Sequence, residues 1–264
     1  MITLLNPHES LANLVYLRYP GKLDSALIAT RRRLNDQKMK ATERNTFLCF
    51  VFGPANAGKS TLLNSFLQKS FPDTCNFPAN ARYAVKAVDQ LGETTKTLVL
   101  REISEDEANK ILTKKDSLAA CDVAVFVYDC SDERSWKRAS DLIMKVARHG
   151  EESGFSVPFL VVATKDDLHS HHSSLYSSSK ICAELGIEGP IPVSAKLGEL
   201  DNLFGRVLRA ALKPHLGIPQ TDAGRRKKQL ERTIGNSLVV MSGVLFAVIG
   251  VTVFRKYSKT KNSS

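Results

Sequence analysis

Between residues 46 and 213 the apolar positions follow two alternating patterns. Short, mainly apolar runs occur at 47–52, 82–89, 96–103, 122–129, 157–163 and 190–193 and read as strands. Phe47-Leu48-Cys49-Phe50-Val51-Phe52 contains no polar residue, as expected of a parallel strand buried on both faces. Apolar residues recur at helical spacing within 59–69, 134–149, 177–185 and 199–212. Trp136, Ala139, Leu142, Ile143 and Val146 make one stripe; Leu200, Leu203, Phe204, Val207 and Leu208 make another. Only a short turn around Leu91-Gly92-Glu93 separates runs 82–89 and 96–103, with no room for a helix. Those two strands are expected to form an antiparallel hairpin, and the rest right-handed βαβ units. The pattern predicts an α/β fold: a mostly parallel six-stranded sheet with helices on both faces. Ligands of such sheets sit at the carboxyl ends of the strands.

The pattern changes at both ends. Residues 1–45 carry one short apolar face (Leu11, Leu14, Val15, Leu17) and a basic stretch from Arg31 to Arg44. That segment is too short for its own core and is expected to pack on the main domain or to be part of something larger. The basic stretch reads as a solvated face, with phosphate binding as the alternative. Residues 214–232 shift to Pro, Gly and charge and read as a basic linker. Residues 237–254 hold no charge, and Thr233 to Asn236 extend the uncharged stretch upstream. A bilayer core takes about twenty such residues as a helix. Arg232 precedes this stretch and Arg255-Lys256 follows it. One C-terminal transmembrane helix over 233–254 is expected, with a short basic tail, 255–264. Gly243 and Ala247 form a small-x-x-x-small pair within it, read as lipid-facing filler rather than a pairing motif.

Charge is informative once located. The net charge is +10, but residues 225–264 hold nine Lys or Arg against one acid, Glu231. Most of the excess therefore belongs to the C-terminus, which points to an anionic membrane surface and away from nucleic acid. The five cysteines, Cys49, Cys75, Cys121, Cys130 and Cys182, show no C-x-x-C spacing and read as buried, reduced thiols. No secretory signal is expected, since no charged segment leads into an apolar one at the N-terminus. His169, His171 and His172 read as loop histidines, because no carboxylate or cysteine spacing accompanies them.

The chemistry lies in GPANAGKST, residues 53–61, which fits G-x-x-x-x-G-K-[ST] between a strand and a helix. A glycine-rich loop turns its N–H groups inward to make a nest for phosphate, and the following helix adds its positive end. The expected phosphate contacts are Asn56, Ala57, Gly58, Lys59, Ser60 and Thr61. Lys59 supplies the catalytic cation at the β and γ phosphates, and Ser60 a hydroxyl to Mg²⁺.

A base-reading loop is expected after a later strand, and run 157–163 ends in Thr164-Lys165-Asp166-Asp167. Guanine presents two adjacent donors that one carboxylate accepts together, and Asp167 fits that role. The Lys165 stem can lie over the ring. Ser194-Ala195-Lys196 follows the last strand, with the Ala195 N–H placed for guanine O6. Adenine lacks the donor pair, so an adenine-specific site is the disfavoured alternative.

With these three motifs in order, residues 47–212 resemble the Ras-like small GTPases. The closer resemblance is to the C-terminal GTPase domain of the mitochondrial Rho GTPases, the Miro family. It rests on the TRRR…ERN segment before the first strand, the altered third motif in VLREISEDE, Pro214-His215 and the apolar tail. Residues 3–21, TLLNPHESLANLVYLRYPG, look like the end of the Miro region preceding that domain. The resemblance implies the Ras-like P-loop fold, GTP or GDP with Mg²⁺, and GTP hydrolysis. It also implies a tail anchor in the mitochondrial outer membrane with the domain facing the cytosol. The partners it implies are trafficking or motor adaptor proteins acting in mitochondrial transport, distribution and morphology.

The departures are specific. Miro proteins carry another GTPase domain and two EF-hands before this region. No D-x-[DN]-x-[DN]-G loop occurs here, so calcium binding is not carried over. The chain reads as a shortened relative or a piece of a longer one. The usual D-x-x-G is replaced by Glu102-Ile103-Ser104-Glu105, and no Gln follows to orient water. Glu102 is the remaining candidate for holding Mg²⁺ through water. Ala55 stands where such loops often have Gly, and Thr74 is the nearest candidate for the switch threonine. Asp129 is expected to cap the next helix with Ser131 and Asp132. Two readings stay open: a slow GTPase, and a nucleotide-bound scaffold with little turnover.

Overall fold

The computed structural model describes residues 44–67, 83–90, 94–168 and 172–226, with 229–230 and 233–234. The N-terminal segment before residue 44, Thr74, Cys75, His169, His171 and most of the 233–254 segment lie outside these residues. Two compact units divide between Thr221 and Asp222, and the first holds everything that follows except where stated.

The central strand is β1 (Thr46–Phe52). It pairs in parallel with β3 (Thr94–Glu102) on one side and β4 (Val123–Asp129) on the other. β2 (Tyr83–Gln90) forms the expected antiparallel hairpin with β3. β5 (Phe159–Thr164) and β6 (Ile191–Val193) extend the sheet in parallel beyond β4. The order is β2-β3-β1-β4-β5-β6. The connections between strands hold α1 (Lys59–Phe66), α2 (Glu105–Leu112), α3 (Glu133–Ser153) and α4 (His172–Leu185), and α5 (Leu203–Leu212) follows β6.

Period-two alternation along β1 divides the core between the two faces. Phe50 and Phe52 join Phe126, Tyr128, Trp136 and Ile143 on the α3 side. Phe47, Cys49 and Val51 join Leu62, Phe66, Val125, Leu203 and Val207 on the α1 and α5 side. Phe126 lies between Phe52, at 5.4 Å between ring centroids, and Phe159, at 4.7 Å. A fully buried side chain of this kind stabilises the fold by about 1.5–3 kcal/mol.

Several boundaries differ from the periodic pattern for identifiable reasons. α2 falls where the periodic pattern predicted no helix. Ser104 caps it by accepting from the Glu107 N–H, and Glu105, Asp106 and Glu107 place negative charge at its positive end. α3 runs on through Gly150 to Ser153 and stops at Gly154, where φ is 79°. α4 begins at His172, which places that residue in a helix rather than a loop. α5 begins only at Leu203, because Glu199 folds back to Ser194 and Asp201 and Asn202 take left-handed φ values of 41° and 49°.

Residues 214–221, expected to open a linker, keep their backbone paired with the first unit. Gly217 O accepts from the Phe159 N–H, and the Gln220 N–H donates to Leu185 O. Thr221 donates both its N–H and its hydroxyl to Glu151. Arg44, from the basic stretch, pairs with Asp122, which also accepts the Leu48 N–H, so its contact is structural. In the second unit, Asp222 pairs with Arg225. Among the described residues, no helix is long and apolar enough to cross a membrane.

Candidate functional site

Parallel pairing brings the carboxyl ends of five strands to one edge. Glu102 ends β3 level with Val51, Asp129 ends β4 level with Thr164, and Thr164 is level with Val193. The loop after β1 leaves at this edge, and its shape is forced by packing. Gly53 has φ of 153°, and a Cβ there would lie 2.2 Å from Val127 O, so no side chain fits. Gly58 has φ of 88°, a conformation that costs a residue bearing Cβ. Asn56 adopts a left-handed φ of 63° without being glycine. Backbone held in that region at a loop tip is a recurrent feature of ligand clamps.

Lys59 opens α1 and is buried. Its ammonium donates to Gly53 O at 2.9 Å and Pro54 O at 2.8 Å, so the loop wraps its own cation. Burial lowers the Lys59 pKa, the carboxylates of Glu102 and Glu105 pull it back up, and Arg138 lowers it further. Ser60 donates its hydroxyl to Glu102 Oε2 at 2.8 Å. Both are oxygen groups of the kind Mg²⁺ accepts, and few protein ligands suit an ion that keeps phosphate and water in its shell. The pair therefore fits a Mg²⁺ site. Arg101, the neighbour of Glu102, points the other way, over the Phe50 and Tyr83 rings and toward Glu107.

The residues expected to read the base form the other half. Asp167 accepts from the Ser194 hydroxyl at 2.7 Å and has Lys196 Nζ at 3.6 Å. The Ser194 bond is the main cause that lowers the Asp167 pKa. Its carboxylate is thus ionised and aimed before any ligand arrives. Lys165, at φ 60°, lays its stem toward Asp129 and pairs with Asp129 Oδ2 at 2.5 Å. Thr164 is buried, and its hydroxyl lies 2.7 Å from Ala57 O and 2.9 Å from Tyr128 O. It ties the phosphate loop to the sheet.

One cavity of about 250 Å³ joins the two halves; Gly58, Thr61 and Leu62 line one side and Lys165, Asp167 and Ala195 the other. Thr164 and Lys196 also line it. Asn56, Ala57, Lys59, Ser60 and Ser194 are not among the lining residues.

Asp129 does not cap α3 as expected; Asp132 does, accepting from the Arg134 N–H. Asp129 instead accepts from Ser131 N and Oγ and holds Lys165. Sequence reasoning also missed Glu105 and Arg138. The Ala55 N–H donates to Glu105 Oε1 at 3.0 Å, and Arg138 on α3 pairs with the other Glu105 oxygen. The serine-to-glutamate spacing of Ser104 and Glu107 signals the α2 start that places Glu105, but nothing in the sequence signals Arg138.

Comparison with known proteins agrees with this layout. The sequence profile of the Ras family matches residues 49–213. Mitochondrial Rho GTPase 1 of Arabidopsis thaliana is 48% identical over 265 residues, covering 100% of this chain and 41% of the relative. Mitochondrial Rho GTPase 2 of the same plant is 47% identical over 264 residues, with the same coverage. Mitochondrial Rho GTPase 1 of Saccharomyces cerevisiae (strain ATCC 204508 / S288c) is 29% identical over 272 residues, covering 98% of this chain and 40% of the relative. The chain thus spans about two fifths of the length of these relatives.

Proposed function

The chain belongs to the Ras family, with mitochondrial Rho GTPases among its relatives, and we propose that it is a GTP-binding protein that slowly hydrolyses GTP at mitochondria. The observation that carries this reading is a cavity lined by both the phosphate loop and the Asp167 loop. A nucleotide laid along it has its base at Asp167 and its phosphates at Gly58 and Lys59. Asp167 accepts the two guanine donors, the Ala195 N–H meets O6, and the Lys165 stem covers one ring face. The loop N–H groups and Lys59 hold the phosphate charge. Ser60 and Glu102 would hold Mg²⁺, which when bound supplies charge neutralisation at the β and γ oxygens. Catalysis in such sites is almost entirely positioning and charge stabilisation, and these residues provide both.

The test is the nucleotide content of the purified full chain, extracted with acid and separated by chromatography. Guanine nucleotide at near one equivalent is expected; adenine nucleotide, or none with GDP failing to bind on addition, sinks the reading.

In this proposal residues 233–254 anchor the chain in the mitochondrial outer membrane, with the first unit facing the cytosol and offering its surface to trafficking or motor adaptor proteins. The uncharged stretch and its flanking Arg232, Arg255 and Lys256 support that reading. Truncation after Gly224 is expected to give a form that no longer sediments with mitochondria after a carbonate wash.

A second reading, a nucleotide-bound scaffold with little turnover, is favoured by one observation. Glu105 and Asp106 stand where the related motif has Gly and the residue that orients water. Single-turnover hydrolysis separates the two readings.

A further inference from the structure

Glu105 touches the phosphate loop at Ala55, within electrostatic reach of Lys59. Its Oε1 accepts the Ala55 N–H at 3.0 Å, and its other oxygen is paired with the Arg138 guanidinium. A carboxylate held by a loop N–H and an arginine has the same kind of surroundings that a terminal phosphate needs. Lys59 feels Glu102, Glu105 and Arg138 together, which puts all three within electrostatic reach of the phosphate-binding amine. Ser104 caps α2 one residue earlier, so the position of Glu105 is fixed by the helix start.

We propose that Glu105 and Arg138 form a charge latch over the terminal-phosphate end of the loop, which sets the preference between nucleoside diphosphate and triphosphate. This rests on the guanine-nucleotide reading of the site. With a diphosphate bound, the phosphate chain ends at Lys59 and Gly58, and Glu105 keeps its seat on Ala55. A triphosphate carries one more negative charge than the diphosphate and places its terminal phosphate, close to doubly charged, toward that seat. It must displace the carboxylate from the Ala55 N–H, and Arg138 then neutralises the incoming phosphate in place of Glu105. The latch is inexpensive to open, because the Glu105 and Arg138 side chains are 38% and 53% exposed and an ion pair in water contributes little to stability. The pair joins the start of α2, α3 and the loop at Ala55.

The experiment uses the full chain in mild detergent, with GDP and the slowly hydrolysed analogue GTPγS competed against a fluorescent GDP. Glu105→Gln keeps the size and removes the charge. Its GTPγS-to-GDP affinity ratio is expected to rise about tenfold or more over the unmodified chain. Arg138→Ala leaves Glu105 unneutralised and is expected to lower the ratio by a similar factor. The double variant should recover only part of the Arg138→Ala loss, since the exposed carboxylate is gone but so is the guanidinium that meets the phosphate. Glu107→Gln removes an acid from the same helical turn and should leave the ratio within twofold. An unchanged ratio in Glu105→Gln, with GDP still bound, overturns the latch while leaving guanine binding intact. Equal shifts in Glu105→Gln and Glu107→Gln overturn it too, by reducing the effect to general acidity. Absence of any GDP binding in the unmodified chain overturns both this inference and the reading beneath it.

Discussion

Ser60 and Glu102 meet across the mouth of the phosphate loop, with the hydroxyl donating to Oε2 at 2.8 Å. One residue lies in the first turn of α1 and the other closes β3, so the contact joins residues 42 apart in the chain. Glu102→Gln keeps the hydrogen bond and removes the charge a divalent cation needs. Nucleotide release should then lose much of its Mg²⁺ dependence. The measurement is the release rate of a fluorescent GDP with Mg²⁺ present and with chelator. An unaltered dependence would make Glu102 simply the last residue of a strand.

The Asp167 carboxylate is pre-aimed by Ser194 and ionised, and its contribution should appear as base selectivity. Charge-assisted bonds contribute about 1.5–3 kcal/mol, so Asp167→Ala should reduce the preference for GTP over ATP by roughly ten- to a hundredfold. Competition binding measures it. Comparable GTP and ATP affinities in the unmodified chain would remove the basis for the assignment.

Asp129 couples this loop to the sheet and to pH. Burial pushes its carboxyl pKa up, but hydrogen bonds from Lys165 and Ser131 outweigh that and hold it below 3.8, its ordinary value. A depressed folded value means the stabilisation is present at neutral pH and is lost as pH falls below about 4, through the folded value. Asp129→Asn should be less stable than the parent at pH 7, and the gap should narrow as pH falls below about 4. Thermal melts across that range test the sign. A constant gap between the two proteins would show that the carboxylate charge is not what acts.

Phe126 offers a test of the core. It is fully buried between Phe52 and Phe159. Phe126→Ala should cost about 3–5 kcal/mol in chemical denaturation, because the sheet cannot collapse around the cavity. A loss under about 1 kcal/mol would mean the site relaxes far more than strand packing permits.

How far the chain could be read without coordinates follows from what each signal encodes. The six strands, the hairpin and the glycine-bearing loop between β1 and α1 were legible because apolar runs and glycine spacing are local. The α2 helix was hidden because its stripe is weak, with Ala108 as its buried residue, and only Ser104 and Glu107 mark its start. Asp129 looked like a cap by proximity to Ser131 and Asp132; its contact with Lys165 spans 36 residues and exists only once β4 and β5 pair. Arg138 reaches Glu105 across 33 residues, from a helix whose pattern says only which face is buried. Contacts that close between separate elements leave no periodic trace.

The hydrolysis rate is where the readings of this site part. A Ras-like site works by holding the attacking water and sensing the terminal phosphate through a glycine N–H. Here Glu105 stands at the glycine position and itself accepts the Ala55 N–H, and Asp106 stands where water would be oriented. A site with both groups turns over at only about 10⁻⁴–10⁻³ s⁻¹ unaided. The full chain should therefore be no faster than that, and Lys59→Ala should abolish nucleotide binding or turnover, because no other described cation lies inside the loop. Single-turnover phosphate release from GTP, with the full chain in excess, gives the number. A rate above about 0.1 s⁻¹ would mean a catalytic group stands outside those described, since it exceeds the unaided scale a hundredfold. A rate indistinguishable from GTP in buffer, with nucleotide still tightly held, would favour the scaffold reading.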